Sequence, residues 1–151
     1  MLILGKFDST GSAIVDIQVA GPSGKKTYSA TIDTGFSGFV ALPYSEMIDL
    51  GLSVHGAANV QLGDGSIITS DLSSGKVSLG DLDATGTIVL DETSAEVLIG
   101  MDFLREFKLA LILTNSAIVL YDEREGLDEI VRLMSTAPEG QPNATPSSSD
   151  T

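Results

Sequence analysis

From Leu2 to Tyr121 the hydrophobic residues fall in short runs that either alternate with polar residues or are β-branched throughout, and Gly, Pro, Ser and Asp separate them. A period of two broken at short intervals by turn formers predicts a small all-β domain. The expected strands are Ala13 to Val19, Lys26 to Ile32, Phe39 to Leu42, Ala58 to Leu62 and Ser66 to Leu72, then Lys76 to Leu79, Ala84 to Leu90, Val97 to Ile99, Leu109 to Leu113 and Ala117 to Tyr121. Turns are expected at Gly21-Pro22-Ser23-Gly24 and Thr114-Asn115-Ser116, and Gly63-Asp64-Gly65 reads as a hairpin tip because its residues tolerate positive φ. Two short helices fit the remainder: Ser45 to Leu50, closed by Gly51, and Asp102 to Phe107, opened by Asp102 as its N-cap.

After Tyr121 the alternation stops. Residues 122–126 (Asp-Glu-Arg-Glu-Gly) are polar, Leu127, Ile130, Val131 and Met134 recur at helical spacing, and Ser135 to Thr151 is rich in Pro, Ser, Thr and Asn. The expected organisation is one domain over 1–121 and an acidic, flexible tail over 122–151 with a short helix at 127–134.

Charge narrows the function classes. Eight basic against 21 acidic residues leave a net charge of −13, which repels phosphate backbones and anionic lipid surfaces, so neither nucleic acid nor membrane is expected as a partner. The chain has no cysteine, hence neither disulfides nor thiolate metal sites. Its single histidine, His55, supports neither a Ser-His-Asp triad nor a multi-histidine centre and is expected on a loop or surface. The pairs Asp91-Glu92 and Asp122-Glu123 lack calcium-loop spacing, so no cofactor or metal is expected. The opening apolar run is broken at Gly5 and Lys6, short of a signal peptide, and the expected location is cytoplasmic.

The remaining chemistry lies at Asp33. It follows the alternating strand ending at Ile32 and precedes Thr34-Gly35, so a carboxylate is presented at a strand end on a turn that glycine can tighten. A faint internal repeat supports its importance: Ile32-Asp33-Thr34-Gly35 precedes a strand and helix, and Val97-Leu98-Ile99-Gly100 precedes a helix and strand.

Three segments in this order, 31–38 (Thr-Ile-Asp-Thr-Gly-Phe-Ser-Gly), the hairpin 63–66 and 97–104 (Val-Leu-Ile-Gly-Met-Asp-Phe-Leu), resemble the retropepsin-like aspartic peptidases, in particular the small prokaryotic group whose motif reads Asp-Thr-Gly-Phe. The likeness spans roughly Leu2 to Tyr121. It implies a closed β-barrel, the acid protease fold, with one or two short helices. It further implies that Asp33 is catalytic, that Thr34 and Gly35 support the active-site loop across a dimer, that Val60 to Asp71 forms a flap with its tip at Gly63, Asp64 and Gly65, and that Leu98, Ile99 and Gly100 pack beneath the Asp33 loop.

The implied chemistry is hydrolysis of an extended peptide or unfolded protein by a water activated between two carboxylates. One carboxylate cannot act as base and acid in the same step, and the chain has a single Asp-Thr-Gly. The second must come from an identical chain around a two-fold axis, giving a homodimer. Phe36 stands where many relatives carry a small or hydroxylated residue, which predicts a pH optimum nearer neutral than strongly acidic and a narrower cleft. A reading from another class stays open: a catalytically weak or inactive dimerisation or peptide-binding module on the same fold.

Overall fold

The computed structural model describes residues 2–61 and 63–122, together with Arg132 and Ser135. The described residues up to Asp122 form ten strands and two short helices in this order: β1 (Leu2–Phe7), β2 (Ala13–Gly21), β3 (Gly24–Ile32), β4 (Val40–Pro43), α1 (Glu46–Leu50), β5 (Gly56–Gln61), β6 (Ile67–Leu79), β7 (Leu82–Asp91), β8 (Val97–Ile99), α2 (Met101–Glu106), β9 (Leu109–Leu113) and β10 (Ile118–Asp122). The all-β fold inferred from alternation is the one observed.

Hydrogen bonding joins the strands in the order β5-β6-β7-β4-β8-β3-β2-β1-β10-β9, and a further pairing of β6 with β2 closes β6, β7, β4, β8, β3 and β2 into a six-stranded barrel. Alternation explains the filling: Val15, Ile17 and Val19 of β2 are buried while Asp16 between them is exposed. With Leu42, Val77, Leu79, Ile88, Leu90 and Ile99 they form the main core, capped by the aromatic trio Phe39, Phe103 and Phe107. Those rings stand 4.5 to 6.2 Å apart between centroids, within the range of favourable aromatic pairing. A fully buried aliphatic side chain contributes roughly 1.5–3 kcal/mol, so a core of this size accounts for the closure.

Several boundaries differ from expectation. Leu2–Phe7, not assigned to a strand from sequence, pairs with both β10 and β2. The runs Ser66 to Leu72 and Lys76 to Leu79 are one strand that continues through Gly75. Gly75 serves packing there: a side-chain carbon on it would lie 2.7 Å from Ile88 Cδ1. The second helix begins at Met101 behind Gly100, so Asp102 lies in its first turn and does not cap it. Gly51 does close α1, at φ 68°. Asp122, assigned to the tail by composition, belongs to β10 and is buried. The suggested helix over 127–134 lies outside the described residues except for Arg132.

Candidate active site

The site is built where β3 ends. Its last residues pair in parallel with β8, Thr31 opposite Leu98 and Ile32 opposite Ile99, so the two halves of the faint repeat lie side by side. Asp33 keeps that tie: its N–H donates to the Ile99 carbonyl at 2.9 Å. The chain then turns sharply. Gly35 N–H donates to Asp33 Oδ1 at 2.9 Å and Phe36 N–H to the Asp33 carbonyl at 3.1 Å, which fixes the carboxylate by short-range bonds of the loop itself. Asp33 is half-buried, and Thr34 and Gly35 are exposed.

Leu98, Ile99 and Gly100 support this loop. Gly100 N–H donates to the Phe39 carbonyl at 3.2 Å, Met101 N–H to that of Phe36 at 2.9 Å, and Asp102 N–H to that of Gly38 at 3.1 Å. The start of α2 thus satisfies the carbonyls of residues 36–39, which have left the sheet. The bonds demand close approach. A side-chain carbon on Gly100 would overlap the Phe36 and Gly38 carbonyls and lie 2.6 Å from Phe36 Cδ1. Leu98 is half-buried, while Ile99 and Gly100 are buried.

The hairpin of β5 and β6 folds over the same loop. A side-chain carbon on Gly63 would sit 3.6 Å from Asp33 Oδ1 and 3.8 Å from Oδ2, placing the hairpin tip directly on the carboxylate. Asp64 closes the turn, accepting from Ser66 N–H at 2.8 Å and the Ser66 hydroxyl at 2.6 Å. The Ser66 bonds hold its carboxyl below the usual carboxylate range. Gly65 supplies the left-handed backbone, φ 85°. All three tip residues are exposed.

Two contacts of the site have no local sequence signal, the packing of Phe36 and a bond from Tyr44. The Phe36 ring is buried and packs with Ala41, Val60 and Val89 in a second apolar cluster, joined by Ile68, Leu72 and Leu98. The Tyr44 hydroxyl donates to Asp71 Oδ2 at 3.0 Å, linking the end of β4 to the root of the hairpin. Beside the cluster opens a cavity of about 490 Å³ bounded by Gly38, Val60, Leu72, Thr87, Val89 and Arg105. His55 is exposed on the loop after α1, its backbone N–H donating to the Leu72 carbonyl at 2.9 Å. Among the described residues no group of three or more His, Asp or Glu side chains converges as a metal site would. Nor is any described helix long and apolar enough to cross a membrane.

A closed barrel carrying a carboxylate on a tight Asp-Thr-Gly loop, with a hairpin folded over it, is the architecture of a retropepsin-like aspartic protease. A family model described as "Aspartyl protease" matches residues 15–103, and the chain belongs to that family. Among solved structures it is similar to a retropepsin-like aspartic protease from Rickettsia conorii, at 17% identity over 80% of this chain and 88% of that one, with a TM-score of 0.58. At that identity the likeness speaks for the fold. No curated protein matches the chain.

Proposed function

We propose that the protein is a homodimeric aspartic endopeptidase in which the Asp33 carboxylates of two chains activate one water. The observation that carries this is the fixing of Asp33: its backbone is tied to β8 and its Oδ1 to Gly35 N–H, yet the side chain remains only half-buried on a loop. A carboxylate anchored so tightly and still accessible suits acid–base chemistry.

In this reading one carboxylate is ionised and the other protonated, because two such groups a few ångströms apart share a proton. The ionised one takes a proton from water as its oxygen adds to the peptide carbonyl carbon. The protonated one delivers its proton to the carbonyl oxygen. In collapse of the tetrahedral intermediate the first carboxyl gives its proton to the nitrogen as the C–N bond breaks, and the second carboxylate takes a proton from an intermediate hydroxyl as the C=O re-forms. Each acid thus acts once as base and once as acid, and the pair ends as it began. Thr34 and Gly35 brace the two loops where the chains meet, the 63–65 turn closes over an extended peptide, and Leu98 to Gly100 hold each loop from beneath.

The test is cleavage of unfolded protein by wild type and Asp33→Asn, followed by subunit mixing. Asp33→Asn should lower the rate by about 10²–10⁴ without changing the melting temperature. An equimolar mixture at constant total protein should retain about a quarter of wild-type activity, since only wild-type pairs carry two acids, whereas independent monomers would retain about half. Equal cleavage by both proteins would end the proposal.

A further inference from the structure

The hairpin over Asp33 is held to the body by unusually little. Within β6, residues 67–72 pair with β5, and residues 71–79 with β7, so the outer hairpin has no neighbouring strand beyond its own partner. Its polar contacts are also internal: Asp64 bonds to Ser66, and the Thr69 hydroxyl donates to Asn59 at 2.8 Å. Among the described residues, residues 57–69 meet the rest of the chain where Gly63 approaches Asp33 and Gly35, and through apolar contact of Val60 and Ile68 in the second cluster.

The centre of that cluster is Phe36, 2% exposed and only three residues from Asp33. Its main chain is fixed at both ends, N–H to the Asp33 carbonyl and carbonyl to Met101 N–H. Its ring fills the space left by two glycines: a side-chain carbon on Gly38 would lie 2.5 Å from Phe36 Cζ and one on Gly100 2.6 Å from Cδ1. The ring is therefore pinned from below and covered from above by the hairpin. One loop presents both the acid and the surface on which the hairpin rests.

Building on the peptidase reading, we propose that Phe36 is a positioning residue, the seat that sets the balance between closed and raised hairpin over Asp33. Raising the hairpin exposes Phe36, Val60 and Ile68 to water together, so the seat opposes opening in proportion to the apolar area it covers. Closure in turn strengthens the hold on bound peptide. A smaller side chain at position 36 shifts the balance towards the raised form, and substrate binding weakens more than turnover.

Hydrogen exchange and peptide kinetics on Phe36→Ala, Phe36→Leu and the hairpin-side variant Ile68→Ala decide the matter; Ile68→Ala serves if Phe36→Ala does not fold. In Phe36→Ala and Ile68→Ala the amides of Val60 and Ile68 should exchange about tenfold faster or more, while those of Ile17 and Val77 in the barrel stay at wild-type rates. KM should rise with kcat nearly unchanged, and Phe36→Leu should restore most of both. Hairpin exchange equal to wild type, a parallel rise in the barrel, or a fall in kcat at constant KM would each overturn the proposal. Absence of cleavage by wild type would count against the peptidase reading alone, because the exchange comparison reads the seat without activity.

Discussion

Gly63 stands over the carboxylate of Asp33, and beneath it lies Gly35, on which a side-chain carbon would come within 2.9 Å of Gly63 Cα. The two glycines bring hairpin and loop into contact at the point where a water and a scissile amide must enter. A methyl on Gly63 meets Asp33 oxygens only at ordinary contact distances, so Gly63→Ala should melt with wild type. It should nevertheless lower kcat/KM by about tenfold or more, because the methyl occupies space needed by the reacting groups. In Gly35→Ala the clash is with backbone, so the hairpin itself must move and its amides should exchange faster. A peptide assay read beside a melting curve distinguishes the two variants.

Gly100 presents the opposite case, since a side-chain carbon there collides with two carbonyls as well as the Phe36 ring. Nothing at the site can yield cheaply, as both carbonyls accept hydrogen bonds from the start of α2. Gly100→Ala should therefore destabilise the fold by about 1–3 kcal/mol, the usual cost of overpacking. Denaturant unfolding would measure it, and a loss within error would mean the loop is softer than its contacts indicate.

These cases show where sequence reading worked and where it stopped. Alternation in Val15, Ile17 and Val19 reveals an inward face because strand periodicity is local. The paired apolar runs before Asp33 and Gly100 likewise hinted at the Ile32–Ile99 pairing. Phe36 was visible as a bulky residue in an unexpected place, but its burial depends on Gly38, Gly100, Val60 and Val89, which meet it only through the fold. Gly75 reads as a break in sequence because glycine signals a turn as readily as a tight crossing. Leu2–Phe7 carries little local strand signal because most of its pairing is with β10, over a hundred residues away in the chain.

A pH dependence of stability follows from the clamp between α1 and β3. Lys26 Nζ and the Tyr28 hydroxyl each reach Glu46 Oε2 at 2.6 Å. The Lys26 bond, then the Tyr28 bond, holds the Glu46 carboxyl below its ordinary value of 4.5. Because the folded-state value is depressed, the contribution is present above the unfolded value and disappears as pH falls through the folded one. Glu46→Gln should therefore melt a few degrees below wild type at neutral pH, and the gap should close on acidification below pH 4.5. A gap that persists into strong acid would assign the effect to packing.

The second chain required by the two-acid reading needs a surface, and strand register identifies a suitable one. Leu2, Tyr121 and Ala110 lie in one row across β1, β10 and β9, and Leu4, Val119 and Ile112 in the next. The intervening row of Ile3, Leu120 and Leu111 packs on the core, so the first two rows face outward. Leu2 is 56% exposed, Leu4 68% and Ile112 42%, an apolar face of the kind that marks association sites. Strand pairing joins it to the site, for Lys6 at the other end of β1 pairs with Ile14, which pairs with Thr31 two residues before Asp33. Leu4→Ser with Ile112→Ser should raise the dimer dissociation constant by about tenfold or more, on the basis of the apolar area lost. Activity should fall at low protein concentration and recover at high, a pattern that damage confined to the protomer would not produce. Sedimentation of wild type and double variant over a dilution series provides the measurement, and superimposable curves would exclude this face from the interface.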